Sequence, residues 1–136
     1  MPVEWRDNFS VGNLMIDGDH QALIDIVNEY ERVLADKDLD RLKDVYRRLF
    51  DYAEMHFERE IALQKAIHFP HHAAHAQRHD DLLRQLTAIH EAFVAGTERK
   101  SIIPKTTQLL RGWLLTHILK EDMKLKPYFT GHRGAA

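Results

Sequence analysis

The residues of this chain best suited to chemistry are histidines and carboxylates that recur at helical spacing. Between His56 and His79 the sequence reads HFEREIALQKAIHFPHHAAHAQRH, in which His56 and Glu60 stand four residues apart, as do His75 and His79. On helices each pair projects from a single face. Two such faces meeting across a turn make the kind of metal site that helical bundles build in their cores. His20, His117 and Asp122 are the further candidates. With ten histidines and no cysteine, disulfides, thiolate metal sites and iron–sulfur clusters are excluded, so any metal is held by nitrogen and oxygen.

Helices must position these groups, and the apolar pattern predicts four of them. Residues 1–15 are broken by Pro2, Asn8, Ser10, Gly12 and Asn13 and read as an arm pinned by Val3, Trp5, Phe9 and Val11. A first helix over about 17–35 follows the stripe Ile16, Leu23, Val27, Tyr30, Leu34, and His20 falls on it. Asp36-Lys37-Asp38 is a polar turn in which Asp38 can cap the next helix. That second helix, about 39–65, has the seam Leu42, Tyr46, Leu49, Ala53, His56, Glu60, Leu63. A histidine and a carboxylate thus stand where apolar side chains are expected. Pro70 breaks this helix around His68. A third helix, about 71–95, carries His75, His79, Leu82, Leu86, Ile89 and Phe93 and closes at Gly96. The fourth, about 102–126, takes Ser101 as its cap and Pro104 in its first turn, and carries Thr106, Leu110, Leu114 and His117 inward. Residues 130–136 have nothing to bury and read as a frayed tail.

Four such helices joined by short turns predict an all-α, up-down-up-down four-helix bundle with an N-terminal arm, one domain over 1–136. Counting from each turn puts the candidates at one height. About residue 37, His20 lies 17 residues before and His56 19 after; about residue 98, His79 and His117 are each 19 away. The mismatch of two residues is about 3 Å of helix rise. Only Asp122 leaves the stripe, because five residues after His117 it lies about 140° round a regular helix. A π-bulge between the two would realign it, and a regular helix from Leu114 to Lys124 would refute that.

A lone core-facing histidine is ordinarily satisfied by a hydrogen bond. Five at one height with two carboxylates call for a cation, because burying that much unpaired polarity is costly. His68, His71, His72, His90 and His132 fall in the connection, off the stripe or in the tail and read as solvated or capping. Trp5, Trp113, Phe57 and Phe93 read as arm or core anchors. Seven ligands exceed one four-coordinate zinc and fall short of closing two octahedra. Two metals bridged by Glu60 and Asp122, with five terminal imidazoles and one position open, is the economical arrangement. Imidazole with carboxylate suits iron, copper, nickel or zinc, so these residues do not choose the metal.

The order His20, His56-x-x-x-Glu60, His75-x-x-x-His79, His117-x-x-x-x-Asp122 resembles the hemerythrin family, specifically its single-domain bacteriohemerythrins. Ser10 to Asp17 (SVGN-x-x-ID), His56-Phe57 and Trp113 to Ile118 (WLxxHI) extend the match over nearly the whole chain. The resemblance implies a non-haem centre of two Fe ions (Fe2+/Fe3+) with a bridging oxo or hydroxo group, binding O2 reversibly. By position, His75, His79 and His117 would hold one iron, His20 and His56 the other, and Glu60 and Asp122 would bridge. The iron with two histidines would keep the open position for O2, NO or a small anion such as azide. Leu23, Phe57, Trp113, Leu114 and Ile118 match the family's pocket positions, and each would also serve as plain core. Asp19 stands where relatives usually carry Gln, and Ile61 where a second acid is common; Asp19 thereby bears on the hydrogen bonding behind a ligand.

Lys+Arg 19 against Asp+Glu 21 leaves the chain nearly neutral, and no basic stripe tracks phosphates, so nucleic acid is not an expected partner. No apolar run approaches the roughly 18 residues of a membrane span, and the N-terminus lacks the basic-then-apolar pattern of a signal peptide, so a cytoplasmic protein is expected. The implied role is oxygen storage, delivery or buffering, without catalysis. A di-iron oxidase or peroxidase would use Glu-x-x-His pairs, and this sequence has none. A sensor of O2, NO or iron redox state is the other alternative, and the length leaves no room for an output module. A structural zinc bundle is the remaining competitor.

Overall fold

The computed structural model describes residues 2–96 and 99–129, excepting the side chains at 99, 114, 115, 118 and 119. Four long helices form the body: α1 (Leu14–Asp36), α2 (Leu39–Ala66), α3 (His72–Val94) and α4 (Arg99–Thr116). The chain continues from α4 through a π turn (His117–Glu121) and a 3-10 turn (Asp122–Leu125) into the short α5 (Lys126–Phe129). Each long helix packs on the next and α1 closes on α4, which makes an all-α four-helix bundle. The tail over 130–136, with His132, lies outside the described residues.

Local chemistry sets the ends of these helices. Asn13 accepts a hydrogen bond from the Ile16 amide at 3.0 Å, so α1 starts at Leu14, ahead of the apolar stripe. Its first turn was unreadable by periodicity because Leu14 is 93% exposed. Asp38 caps α2 by accepting from the Arg41 amide at 3.2 Å. The end of α2 is locked by two backbone bonds, Phe69 N–H to Gln64 C=O at 2.8 Å and His68 N–H to Lys65 C=O at 3.1 Å. This is a Schellman motif, closed here by His68 in the left-handed region (φ 59) where glycine is usual. Gly96 takes that place after α3, with φ 81. α4 is already helical at Arg99, so Ser101 lies within it rather than capping it, and Pro104 sits inside the helix beyond the first turn. The arm is held by Ser10 Oγ donating to Asp17 at 2.5 Å, by the Val11 amide donating to Asp17 at 2.9 Å, and by a two-way bond between the Val3 backbone and the Asn28 amide.

One continuous core runs down the bundle, drawn from Leu23, Val27 and Tyr30 of α1, Leu42 and Leu49 of α2, Leu86 and Phe93 of α3 and Leu110 of α4. Each fully buried leucine or phenylalanine stabilises the fold by roughly 2 kcal/mol. His90 belongs to this core and is not solvated. It is 7% exposed, accepts or donates a hydrogen bond at 3.1 Å with the Tyr30 hydroxyl and stacks on Tyr46 at 3.7 Å. It stands four residues after Leu86 on the inward face, beside Ile89 of the apolar stripe. Burial, with Lys43 adding to it, lowers the His90 pKa to about 4, so the ring is neutral. Among the described residues no helix is long and apolar enough to cross a membrane.

Candidate metal centre

His20 comes from α1, His56 and Glu60 from α2, His75 and His79 from α3, His117 from the start of the π turn and Asp122 from the first residue after it. All seven side chains are buried, none more than 4% exposed. The π turn brings Asp122 round: its amide donates to the His117 carbonyl five residues back, which widens the turn so that both side chains reach the bundle interior.

Glu60 and Asp122 each turn their two oxygens to different histidines. Glu60 Oε2 is 3.0 Å from His56 Nε2 and 3.7 Å from His20 Nε2, while its Oε1 is 2.7 Å from His75 Nε2, 3.6 Å from His79 Nε2 and 3.8 Å from His117 Nε2. Asp122 Oδ2 is 2.8 Å from His20 Nε2, and its Oδ1 is 2.9 Å from His75 Nε2 and 2.8 Å from His117 Nε2. Donor atoms of Glu60, His75, His79 and His117 lie within 4.8 Å of one another, as do those of His20, His56, Glu60 and Asp122. Either group could hold a metal ion.

The donor arrangement itself calls for a cation. His117 Nε2 is 3.1 Å from His75 Nε2 and 3.0 Å from His79 Nε2, and three ring nitrogens cannot satisfy one another because a neutral ring carries one N–H. Ligands at right angles about 2.1 Å from a common ion would stand about 3 Å apart. His56 is as telling. Asp19 accepts from its Nδ1 at 2.8 Å, so a neutral His56 aims the lone pair of Nε2 at the Glu60 carboxylate, acceptor against acceptor. His20 Nε2, His56 Nε2, Glu60 Oε2 and both Asp122 oxygens are buried without a hydrogen-bond partner. A cation satisfies all of them at once.

Without it, protons must carry that positive charge. Burial opposes a charged His20, but Asp122 and Glu60 outweigh it and raise its pKa to about 9. The same contest at His117, won by Asp122, ends at about 10. His56 and His75 are also raised against burial, by Asp19 and Glu60 and by Asp122 and Glu60 respectively. His79, buried and beside His117, falls to about 3. Glu60 and Asp122 are held well below the carboxylate range, because the facing imidazoles overcome burial.

Residues around the cluster orient it. Asp19, adjacent to His20 in sequence, serves His56 instead, and is itself fixed by the Tyr52 hydroxyl at 3.0 Å and by Arg59 at 3.5 Å. Gln64, fully buried, donates from its amide to Glu60 Oε1 at 3.2 Å. The apolar seam passes through Leu63 and so misses Gln64, although Gln64 continues the four-residue step from His56 and Glu60. Phe57 stacks on His79 at 3.8 Å and Trp113 on His117 at 4.5 Å. Of the pocket residues, Leu23, Phe57 and Trp113 line one apolar cavity; the side chains of Leu114 and Ile118 lie outside those described.

The bundle and its buried cluster define a helical cation-binding protein with nitrogen and oxygen donors. Residues 12–129 match the Hemerythrin HHE cation binding domain, and the chain belongs to the hemerythrin family. It is 25% identical to a bacteriohemerythrin of Pseudomonas aeruginosa over 118 residues, 87% of this chain and 75% of the relative. It is also 25% identical to a bacteriohemerythrin of Clostridium acetobutylicum over 122 residues, 87% and 94% of the two chains. A hemerythrin-like protein of Naegleria gruberi is 24% identical over 125 residues, 92% of each. A crystal structure of wild-type hemerythrin superposes with a TM-score of 0.82 at 25% identity, covering 96% of this chain and 99% of that one.

Proposed function

We propose that this chain binds O2 reversibly at a non-haem di-iron centre and serves oxygen storage, delivery or buffering in the cytoplasm. The observation that carries the reading is the split of the carboxylates: Glu60 and Asp122 each offer one oxygen to the His75, His79 and His117 side and the other to the His20 and His56 side. His75, His79 and His117 would then hold one iron, His20 and His56 the second, and the two carboxylates would bridge. Counted this way, one side has three imidazoles and the other two, so the side with His20 and His56 keeps a position for an exogenous ligand. Two bound ferrous ions supply the electrons that make O2 binding possible, and hemerythrin relatives support iron over zinc.

The chain's own residues keep that binding reversible. Leu23 and Phe57 present hydrocarbon, which excludes water and offers no proton. Asp19 holds the His56 ring by its Nδ1, so that Nε2 faces Glu60 and would be a more basic metal ligand than a free imidazole. Gln64 steadies Glu60 in its bridging pose. The sequence has no Glu-x-x-His pair of the kind that di-iron oxidases and peroxidases use, which supports a binding protein over those enzymes.

Metal analysis with an optical spectrum of the reduced protein before air, after air and after removal of O2 tests the proposal. Two irons per chain and a visible band that comes with O2 and leaves with it are expected. Irreversible oxidation would move the reading to an oxidase, peroxidase or redox sensor, and one zinc with no band would end it.

A further inference from the structure

The cluster is closed from solvent, none of its seven side chains being more than 4% exposed, so an ion must enter past one of them. Two surface grooves that reach it differ in charge. The groove between α3 and α4 touches His117 and is lined by Arg78, Asp81 and Glu121. Its carboxylates are already paired, Asp81 with Arg84 and Glu121 with Arg78 and Lys124. The groove between α2 and α3 has a volume of about 470 Å³ and touches His79. Glu54 and Glu58 of α2, Asp80 of α3 and a lone cation, Lys65, stand around a floor of apolar side chains such as Phe57 and Leu83. Among the described residues no ion pair neutralises the three carboxylates. Glu54 and Glu58 are four residues apart, where like charges repel along a helix, so the fold gains nothing from them.

Unpaired charges of one sign beside low-dielectric walls focus their field into a cleft and concentrate counter-ions there. Among the described residues, three or more donors close enough to hold a bare ion occur only in the two buried groups, so the rim attracts a hydrated cation and does not trap it. A divalent ion with six waters, at about 30 Å³ each, fits the groove with its shell intact. At the inner end stands His79, 2% exposed. Its Nε2 faces the cluster, 3.0 Å from His117 Nε2, and its Nδ1 is buried without a hydrogen-bond partner. No hydrogen bond pins this ring as Asp19 pins His56; it lies flat on Phe57 at 3.8 Å. His20 Nδ1 is unpartnered as well, but this groove does not reach it. We propose that the α2–α3 groove is the entry site for divalent metal: its unpaired carboxylates draw hydrated Fe2+ to His79, and His79, the candidate ligand not held from behind, takes the ion and carries it to the cluster. The entry site requires a metal centre and is independent of O2 binding.

Hexaamminecobalt(III), an inert cation similar in size to a hydrated metal ion, probes the rim in crystals of the iron-loaded protein. Anomalous density between Glu54, Glu58 and Asp80 is expected at low salt, and its absence overturns the entry site without any variant having to fold. Entry itself is read by stopped flow, mixing Fe2+ without O2 into metal-stripped protein that retains its helical circular dichroism, with released protons as the signal. The rate constant should fall as salt rises from about 10 to about 200 mM. Glu54→Gln with Glu58→Gln and Asp80→Asn should lower it about tenfold at low salt with the final metal content unchanged. Ala62→Trp, which obstructs the groove without changing its charge, should slow entry too. Asp36→Asn with Asp40→Asn and Asp44→Asn, an equal loss of charge at the far end of α2 and its turn, should not. Equal rates in the two triple variants, or normal loading of Ala62→Trp, overturn the entry site even in a protein that goes on to bind O2 reversibly. Slow entry confined to the groove variants upholds it even in a protein whose iron is oxidised irreversibly.

Discussion

Asp19 shows how a single side chain fixes the orientation of a candidate ligand. Its carboxylate accepts from His56 Nδ1 at 2.8 Å and is pinned by Tyr52 and Arg59, so the imidazole has one tautomer and one orientation. Partners behind a ligand typically contribute 10- to 100-fold in metal affinity. Asp19→Ala should therefore weaken iron at the His20 and His56 position by about that factor, read by chelator competition as one tightly and one loosely held iron. Asp19→Asn, which keeps an acceptor but not the charge, should fall between. Equal loosening of both irons would show that Asp19 acts on the fold at large. Gln64 and His90 teach the complementary point: both sit on inward faces one residue from where an apolar reading draws the stripe, because an α-helix buries a band wide enough to take neighbours of the strict seam.

At the scale of the element, the π turn is the feature on which Asp122 depends. Five residues separate His117 from Asp122, and only a turn widened by one residue puts both inward. Removing one residue from that turn should restore a regular helix in which the two are four apart and again on one face. Deletion of the exposed Lys120 is thus expected to preserve two irons per chain, whereas insertion of one alanine after Lys120 should swing the aspartate about 100° away and lose metal. Iron content and helical circular dichroism together check this. Loss of metal on deletion, with helicity intact, would mean that the π turn does more than restore phase.

For the whole molecule, a bound metal and protons would compete for one buried cluster. With His20 raised to about 9 and His117 to about 10 by the facing carboxylates, the metal-free protein carries protons there at neutral pH. Ligation needs neutral rings, so iron loading at pH 7 should release at least about two protons per chain, from His20 and His117, and more to the extent that His56 and His75 are also protonated, measurable with an indicator in weak buffer. The sign for stability follows. A histidine whose pKa is raised on folding stabilises fully below its unfolded value near 6.5, and that contribution is lost as pH climbs through the folded value. His79 and His90, lowered to about 3 and about 4, are neutral in both states above 6.5 and add nothing there. Denaturation of the metal-free protein should therefore become easier from pH 7 to 10, and iron-loaded protein should not share that slope.

Much of this was legible in the sequence because it is local. Helical periodicity places His56 with Glu60 and His75 with His79 on single faces, turn residues such as Asp38 and Gly96 mark helix ends, and equal counts from each turn bring the candidate ligands to one height; these follow from fixed rise and rotation per residue. The five-residue gap to Asp122 even announced the π turn. What only the tertiary structure decided depends on groups far apart in the chain. That Asp19 serves His56 and not its neighbour His20, that each carboxylate divides its oxygens between two sets of rings, and that His90 pairs with Tyr30 are all matters of how helices rotate about their own axes when packed. A sequence pattern restricts that rotation to a face, and close packing of the core selects the angle within it.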